Sequence, residues 1–330
     1  MGDLLDLFKV LVGKRFPFQL VYSNEYWMLE TGKHVFPLQK YRLVYENLLS
    51  MGAKKNNFLR PRPAPDEDIE LVHSHRYLRR AKSGGLSLAE LKALEIRYSP
   101  QLVRFALLSV GGTALAARKA LETGLAVHIG GGFHHAFPDH GEGFCLFNDV
   151  AVAVRKVLKD GQAKRVMIVD CDLHQGNGTA AALSGHPEIF TFSIHQMDIY
   201  PSEKPRSTLD VGLWAGDGDE RYLAGLRAHI PRIYQEFRPD LVIYLAGADP
   251  FEKDQLGGLA VTKAGLKERD KIVIENARRL GIGVAVVLAG GYAPEIGDTV
   301  DIHLNTVRIA QRVQRIHPEP PGRAAARRTV

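Results

Sequence analysis

Short apolar, β-branched runs alternate along this chain with stretches of helical period, and that alternation leaves few folds open. The runs are QLVYS at 19–23, LAVHI at 125–129, RVMIVD at 165–170, IFTFSIH at 189–195, DLVIYLAG at 240–247 and VAVVLAG at 284–290. They lack a polar face, as strands buried on both sides of a parallel sheet do. Amphipathic segments at 100–122, 148–160, 219–237 and 263–280 precede four of them. This order predicts an α/β fold whose parallel sheet is covered by helices on both faces. No Pro/Ser-rich linker divides the middle of the 330 residues, so residues 15–316 read as a single domain. Residues 1–14 are a separate N-terminal segment, and 317–330 a basic tail expected to be disordered.

Polar residues that a buried strand would reject stand where the runs stop: GGGFHH after LAVHI, CDLHQGNG after RVMIVD, GADP after DLVIYLAG and GGY after VAVVLAG. Ligands in such sheets bind beyond the carboxyl ends of the strands, so four strand ends are expected to furnish one site. Asp170, Asp172 and His174 recur with period two, which on extended backbone turns all three side chains to one side. Carboxylate oxygen and imidazole nitrogen suit a divalent ion such as zinc, and a catalytic site needs three protein ligands and an open position. Asp249 is a candidate third ligand, although a lone Asp after a strand is more often a helix cap. His134 and His135, after three glycines, suit acid–base work beside a metal. Tyr292, on what reads as a flexible Gly-Gly turn, can donate a hydrogen bond to a developing oxyanion. Each motif alone has a bland reading as turn, cap or surface pair, and their weight lies in falling at four successive strand ends.

Composition adds exclusions. Forty-three Lys and Arg against 37 Asp and Glu leave +6, part of it in Arg323, Arg327 and Arg328 of the tail. The remaining body is near neutral, and no specific nucleic-acid binding is expected. Only Cys145 and Cys171 occur, which predicts no disulfide framework and a reducing compartment. MGDLLDLFKVLVGKR has neither the cationic start of a signal peptide nor the length of a membrane span, and Asp6 replaces the Ser or Thr of a myristoylation signal. The chain is therefore expected to be cytoplasmic.

Five blocks, GGGFHHAFPDHGEGFCLFNDVAVAV, IVDCDLHQGNGTA, FSIHQMDIYP, LAGADPFEKDQLGGLAVT and LAGGY, resemble in order and spacing the successive motifs of histone deacetylases. The resemblance runs from about residue 18 to 310. Its finer pattern, through IGGGFHH, HQGNG, DQLGGL with KAGLKERD, and the short AGGY, is similar to the class IV branch. It implies the arginase–deacetylase fold, with a central eight-stranded parallel sheet. It further implies a hydrolase in which Asp172, His174 and Asp249 bind one zinc ion and Tyr292 polarises the scissile amide carbonyl. His135 would be the general base toward metal-activated water, and His134, paired with Asp170, its electrostatic partner. Asn177 stands where some branches carry Asp behind the second histidine, a neutral partner that lowers the basicity of the ring. The same resemblance implies a potassium ion on main-chain oxygens of Asp170, Asp172 and His174, with Ser193 and the neighbouring carbonyl of Ile194. It also implies a substrate tunnel walled by Gly143, Phe144, Tyr200 and Leu256.

The implied substrate is an Nε-acyl-lysine peptide or protein, with long fatty-acyl groups ranked first, acetyl second and acetylpolyamines third. Basic Lys204 and Arg206 share the rim loop with Glu203, which disfavours a polyamine. Other readings are a two-manganese ureohydrolase of the arginase type, which would need further bridging carboxylates, and an acyl-lysine reader without chemistry. No coiled coil or exposed apolar stripe announces an oligomer, so a monomer is favoured.

Overall fold

A computed structural model describes residues 16–318; the segment 1–14 and most of the basic tail lie outside the described residues. All eight strands belong to one parallel sheet: β1 (Gln19–Val21), β2 (Phe58–Leu59), β3 (Leu125–His128), β4 (Val166–Asp170), β5 (Ile189–Gln196), β6 (Leu209–Leu213), β7 (Leu241–Leu245) and β8 (Gly283–Val287). Their order is β2-β1-β3-β8-β7-β4-β5-β6. The six apolar runs supply six of these strands. The two edge strands, β2 and β6, are largely half-exposed, so they lack the continuous apolar run that marks a strand covered on both faces.

Ten α-helices occur among the described residues: α1 (Gln39–Ser50), α2 (Asp66–Ile69), α3 (His75–Ser83), α4 (Leu88–Leu94), α5 (Pro100–Thr123), α6 (Asp149–Lys159), α7 (Asn177–Leu183), α8 (Asp219–Phe237), α9 (Lys263–Arg279) and α10 (Ile296–Ile316). Alternate strand residues face opposite layers. Val166, Ile168, Ile243, Leu245, Ala285 and Val287 pack with Ala116, Ala117 and Ala120 of α5, Val150 and Val154 of α6 and Leu183 of α7. The intervening Met167, Val169, Val242, Tyr244, Val284 and Val286 pack with residues of α1, α8, α9 and α10. Helix α5 starts at a Ser99 cap with Pro100 in its first turn and stops at left-handed Gly124. By length and composition it could cross a membrane, yet most of its apolar window is buried and it lies against α6, β8 and β3 as a core helix.

The topology places the site. Strands β3, β8, β7 and β4 are consecutive neighbours, so the four loops carrying polar motifs emerge side by side although their sequence positions span about half the chain. Two buried groups anchor these loops from below. Asp149 accepts the amides of Gly132 (3.0 Å) and Phe133 (2.7 Å) and is itself bonded by Thr113, which also meets His128. Fully buried Arg269 donates to the carbonyls of Gly247 and Cys171 and pairs with Asp270. Cys145 and Cys171 are both free and buried.

Candidate active site

Strand β4 ends at Asp170, so the period-two geometry expected to turn Asp170, Asp172 and His174 to one side does not extend through the motif. Convergence comes instead from a chain of local bonds: Asp172 N donates to Asp170 Oδ1 and His174 N to Asp172 Oδ1, each at 3.1 Å. Asp170 then faces away from the metal-ligand group, its Oδ2 2.7 Å from His134 Nδ1. Asp172, His174 and Asp249 form the one group of three metal-ligating side chains among the described residues, with ligand atoms all within 4.8 Å of one another.

This triad fits a divalent ion. Asp249 Oδ1 accepts from Leu173 N (3.1 Å) while its Oδ2 is buried and has no hydrogen-bond partner, an arrangement that costs energy unless a cation completes it. Asp172 Oδ2 accepts from Gly290 N at 2.8 Å. Glycine is required at Gly290 by proximity, because a Cβ there would lie 2.0 Å from Asp249 Oδ2 and 2.6 Å from Asp172 Oδ2. Burial and the adjacent Asp172 push the Asp249 carboxyl up to about 7. Burial would depress the His174 ring, but Asp172 and Asp249 outweigh it and hold the ring up at about 10. Two carboxylates and a ring thus define a point that favours positive charge.

His134 and His135 lie in the loop after β3, with Nε2 atoms 3.0 Å apart. His135 Nδ1 is 2.7 Å from Asn177 Oδ1. An amide oxygen only accepts, so Nδ1 carries the proton and Nε2 is left with its lone pair. Burial and the neighbouring His134 and His174 keep the His135 ring well below its ordinary value. Burial acts on His134 too, but Asp170 and Asp172 overcome it and raise that ring to about 9. At neutral pH the pair is therefore one charged ring beside one neutral ring.

Tyr292 does not sit on a flexible turn. Its N–H donates to Asp254 Oδ2 (2.7 Å) and its carbonyl accepts from Gln255 Nε2 (2.6 Å), and its ring lies edge-on to Phe144, centroids 6.1 Å apart. Burial, with Asp172 and Asp249 nearby, raises its phenol well above the ordinary range, so it remains a donor. Gly143, Phe144, Tyr200 and Leu256 line the same cavity as His134, His135, Asp172, His174 and Tyr292, a space of about 210 Å³ that continues past Phe36, Tyr41 and Phe133. Ser193 is the register partner of Asp170, and Ile194 follows it on β5.

Several participants escaped the sequence reading. Lys40 of α1 is fully buried; its ammonium donates to Ala289 O (2.7 Å) and sits 5.6 Å from the Tyr292 ring centroid. Burial lowers it, Asp249, Asp172 and Asp254 hold it up, and the balance is about 8. A lysine at a helix start gives no sequence signal of such a place. Asp254 supports both Tyr292 and Leu256, accepting the amide of Leu256 at 3.0 Å. Exposed Glu95 lines the mouth. Lys204 of the rim loop donates to the carbonyls of Ile199 and Pro201.

The fold and the chain have clear relatives. The HDA15 HD domain crystal structure superposes with a TM-score of 0.76 over 89% of each chain, at 22% identity, a likeness of fold. An uncharacterized protein of Picosynechococcus sp. is 40% identical over 297 residues, 90% of this chain and 99% of that one. Histone deacetylase 2 of Arabidopsis thaliana is 32% identical over 86% of this chain and 77% of its own length. The histone deacetylase-like amidohydrolase of Pseudomonas aeruginosa is 30% identical over 76% and 71%. A family model described as histone deacetylase domain matches residues 34–307, and the chain belongs to the histone deacetylase family of amide-bond hydrolases.

Proposed function

We propose that the chain hydrolyses the amide bond of an Nε-acyl-lysine, using one zinc ion held by Asp172, His174 and Asp249. The observation that carries this reading is the sharing of one cavity by Asp172, His174, His135 and the protonated Tyr292 phenol, with the ligand atoms of Asp172, His174 and Asp249 all within 4.8 Å of one another. When bound, the ion would supply Lewis acidity toward water and an amide carbonyl. His135 takes the proton from the attacking water at Nε2 and returns it to the amine as the carbon–nitrogen bond breaks, leaving a carboxylate and a free lysine amine. Charged His134, held by Asp170, stabilises negative charge as it develops, and Tyr292 donates to the carbonyl oxygen. A single metal-ligating group among the described residues favours one ion over the two manganese ions of the arginase type.

Aromatic walls at Phe144 and Tyr200 suit the lysine stem. Long fatty-acyl groups stand first from the resemblance; the small cavity, about 210 Å³ against roughly 300 Å³ or more for drug-sized pockets, supports acetyl and other short acyl groups as the competing reading. Acetylpolyamines are a further reading: Glu95 puts a carboxylate at the mouth, while Lys204, bonded to backbone carbonyls, remains a cation of the rim loop. We further assign the chain to class IV, to a cytoplasmic location and to a monomeric state. A structural potassium ion belongs at Asp170, Asp172, His174, Ser193 and Ile194, a reading supported by the pairing of Asp170 with Ser193.

The test is hydrolysis of one lysine peptide bearing acetyl, octanoyl or myristoyl groups, and of an acetylpolyamine, by zinc-reconstituted protein with Tyr292→Phe as control. Turnover that falls roughly 10²–10³-fold in the variant, with metal content unchanged, is expected. Absence of amine release from every substrate by metal-loaded protein overturns the reading.

A further inference from the structure

Asn177 is a neutral partner for His135, but a carboxylate stands directly behind it. Glu142, from the turn that forms the tunnel wall, accepts a hydrogen bond from Asn177 Nδ2 (2.9 Å) and another from the Tyr200 hydroxyl (2.6 Å), both at Oε1. Its Oε2 lies 3.7 Å from His140 Nε2. The turn is closed by a backbone pair with Cys145 and tied to Ala93 and Leu94 by the amides of Gly143 and Phe144. Glu142 is half-buried, and neither the triad nor the proton path described above uses it.

We propose that Glu142 is the residue that positions His135, acting through Asn177. This rests on the deacylase reading and adds the group that sets its base. A primary amide can present either end to the histidine, and the choice decides which ring nitrogen is bare. An ionised carboxylate only accepts, so Glu142 holds Asn177 with Nδ2 toward itself and Oδ1 toward His135. The reversed amide would set an oxygen against the carboxylate and an N–H against the protonated Nδ1. With Oδ1 inward, Nδ1 must donate and the lone pair of Nε2 faces the cavity. The amide thus conveys the orienting influence of a charge without placing that charge beside the ring. The same oxygen draws the Tyr200 hydroxyl out of the tunnel, leaving the ring, 4.9 Å from His135 between centroids, as the wall.

The test compares Glu142→Ala, Glu142→Gln, Asn177→Asp and the double variant Glu142→Gln/Asn177→Asp, each checked for folding by thermal melting. Loss of a group that orients a functional histidine costs roughly 10–100-fold; that loss is expected in kcat for Glu142→Ala, with KM little moved. Glu142→Gln keeps an acceptor and should retain part of the activity. Asn177→Asp sets two carboxylates together and should be impaired, and Glu142→Gln should rescue it by donating to Asp in the double variant. A second readout needs no turnover: imidazole ¹⁵N NMR of the metal-free protein should report the Nδ1–H form of His135 in the wild type and a tautomer mixture in Glu142→Ala. An inactive wild type refutes the deacylase reading, while the NMR result still decides this one. Wild-type kcat and an unchanged tautomer in Glu142→Ala, or no rescue of Asn177→Asp by Glu142→Gln, overturns the proposal.

Discussion

Gly290→Ala is the sharpest single-atom test of the metal cradle. The backbone at Gly290 needs no left-handed conformation, so the substitution acts through space alone. The added methyl would lie 2.0 Å from Asp249 Oδ2 and 2.6 Å from Asp172 Oδ2, where unstrained heavy-atom contacts lie at roughly 3.5 Å. The Asp249 carboxylate must therefore retreat by more than about 1 Å. Its Oδ1 is held by Leu173 N, and Asp172 Oδ2 by Gly290 N, so retreat breaks bonds as well as moving the ligand oxygen. Overpacking of this kind costs about 1–3 kcal/mol, offset by about 0.4–1 kcal/mol from the restricted unfolded chain. The metal-free variant should thus melt only slightly below the wild type. Zinc at about a hundred times its Kd should stabilise the wild type by about 2.7 kcal/mol and the variant not at all, with activity lost in parallel. Thermal melts with and without zinc, alongside Gly297→Ala where nothing lies within 4 Å of the new methyl, make the comparison. If Gly290→Ala takes up zinc with wild-type affinity, the inferred triad geometry is wrong.

Gly143→Ala should lower kcat by roughly 10–100-fold, since its Cβ would meet the Tyr200 hydroxyl at 2.5 Å and the His135 ring at 2.9 Å; its positive φ of 50° adds about 1–2 kcal/mol of strain visible as a lower Tm. Asp254→Asn turns a donor toward the amide of Tyr292 or Leu256, and steady-state kinetics should record reduced turnover with bound zinc retained. Buried His73 donates from Nδ1 to Phe137 O and accepts the Asn148 amide at Nε2, both at 2.9 Å, and burial depresses it to about 4. Its folded pKa lies below the unfolded value of about 6.5, so its contribution is complete above that pH. It is lost as the pH falls toward 4, in total about 3 kcal/mol. Denaturant melts across that window should show a shallower pH dependence for His73→Gln.

Much of the architecture was legible because burial on both faces writes itself into sequence. The six runs without a polar face are β1, β3, β4, β5, β7 and β8, and the four amphipathic segments match α5, α6, α8 and α9 to within a residue or so. Strand β6 and helix α1 were not legible: half-exposed β6 carries no continuous apolar run, and α1 buries a lysine that pattern reading assigns to solvent.

At the site, the sequence by itself determined which chemical groups stand at the strand ends: His134 and His135 after β3, Asp170, Asp172 and His174 at the end of β4, Asp249 after β7 and Tyr292 after β8. A buried strand rejects polar side chains, so their positions in the chain announce them. Only the tertiary structure decided how they meet. The order β3-β8-β7-β4 sets the four loops side by side, local bonds split Asp170 from the ligand triad, Glu142 reaches Asn177 from later in the loop that carries His135, and Lys40 and Asp254 arrive from distant segments beside Tyr292. Side-chain pattern records burial residue by residue, whereas strand order and long-range hydrogen bonds depend on contacts between segments, and a single chain carries no local trace of those.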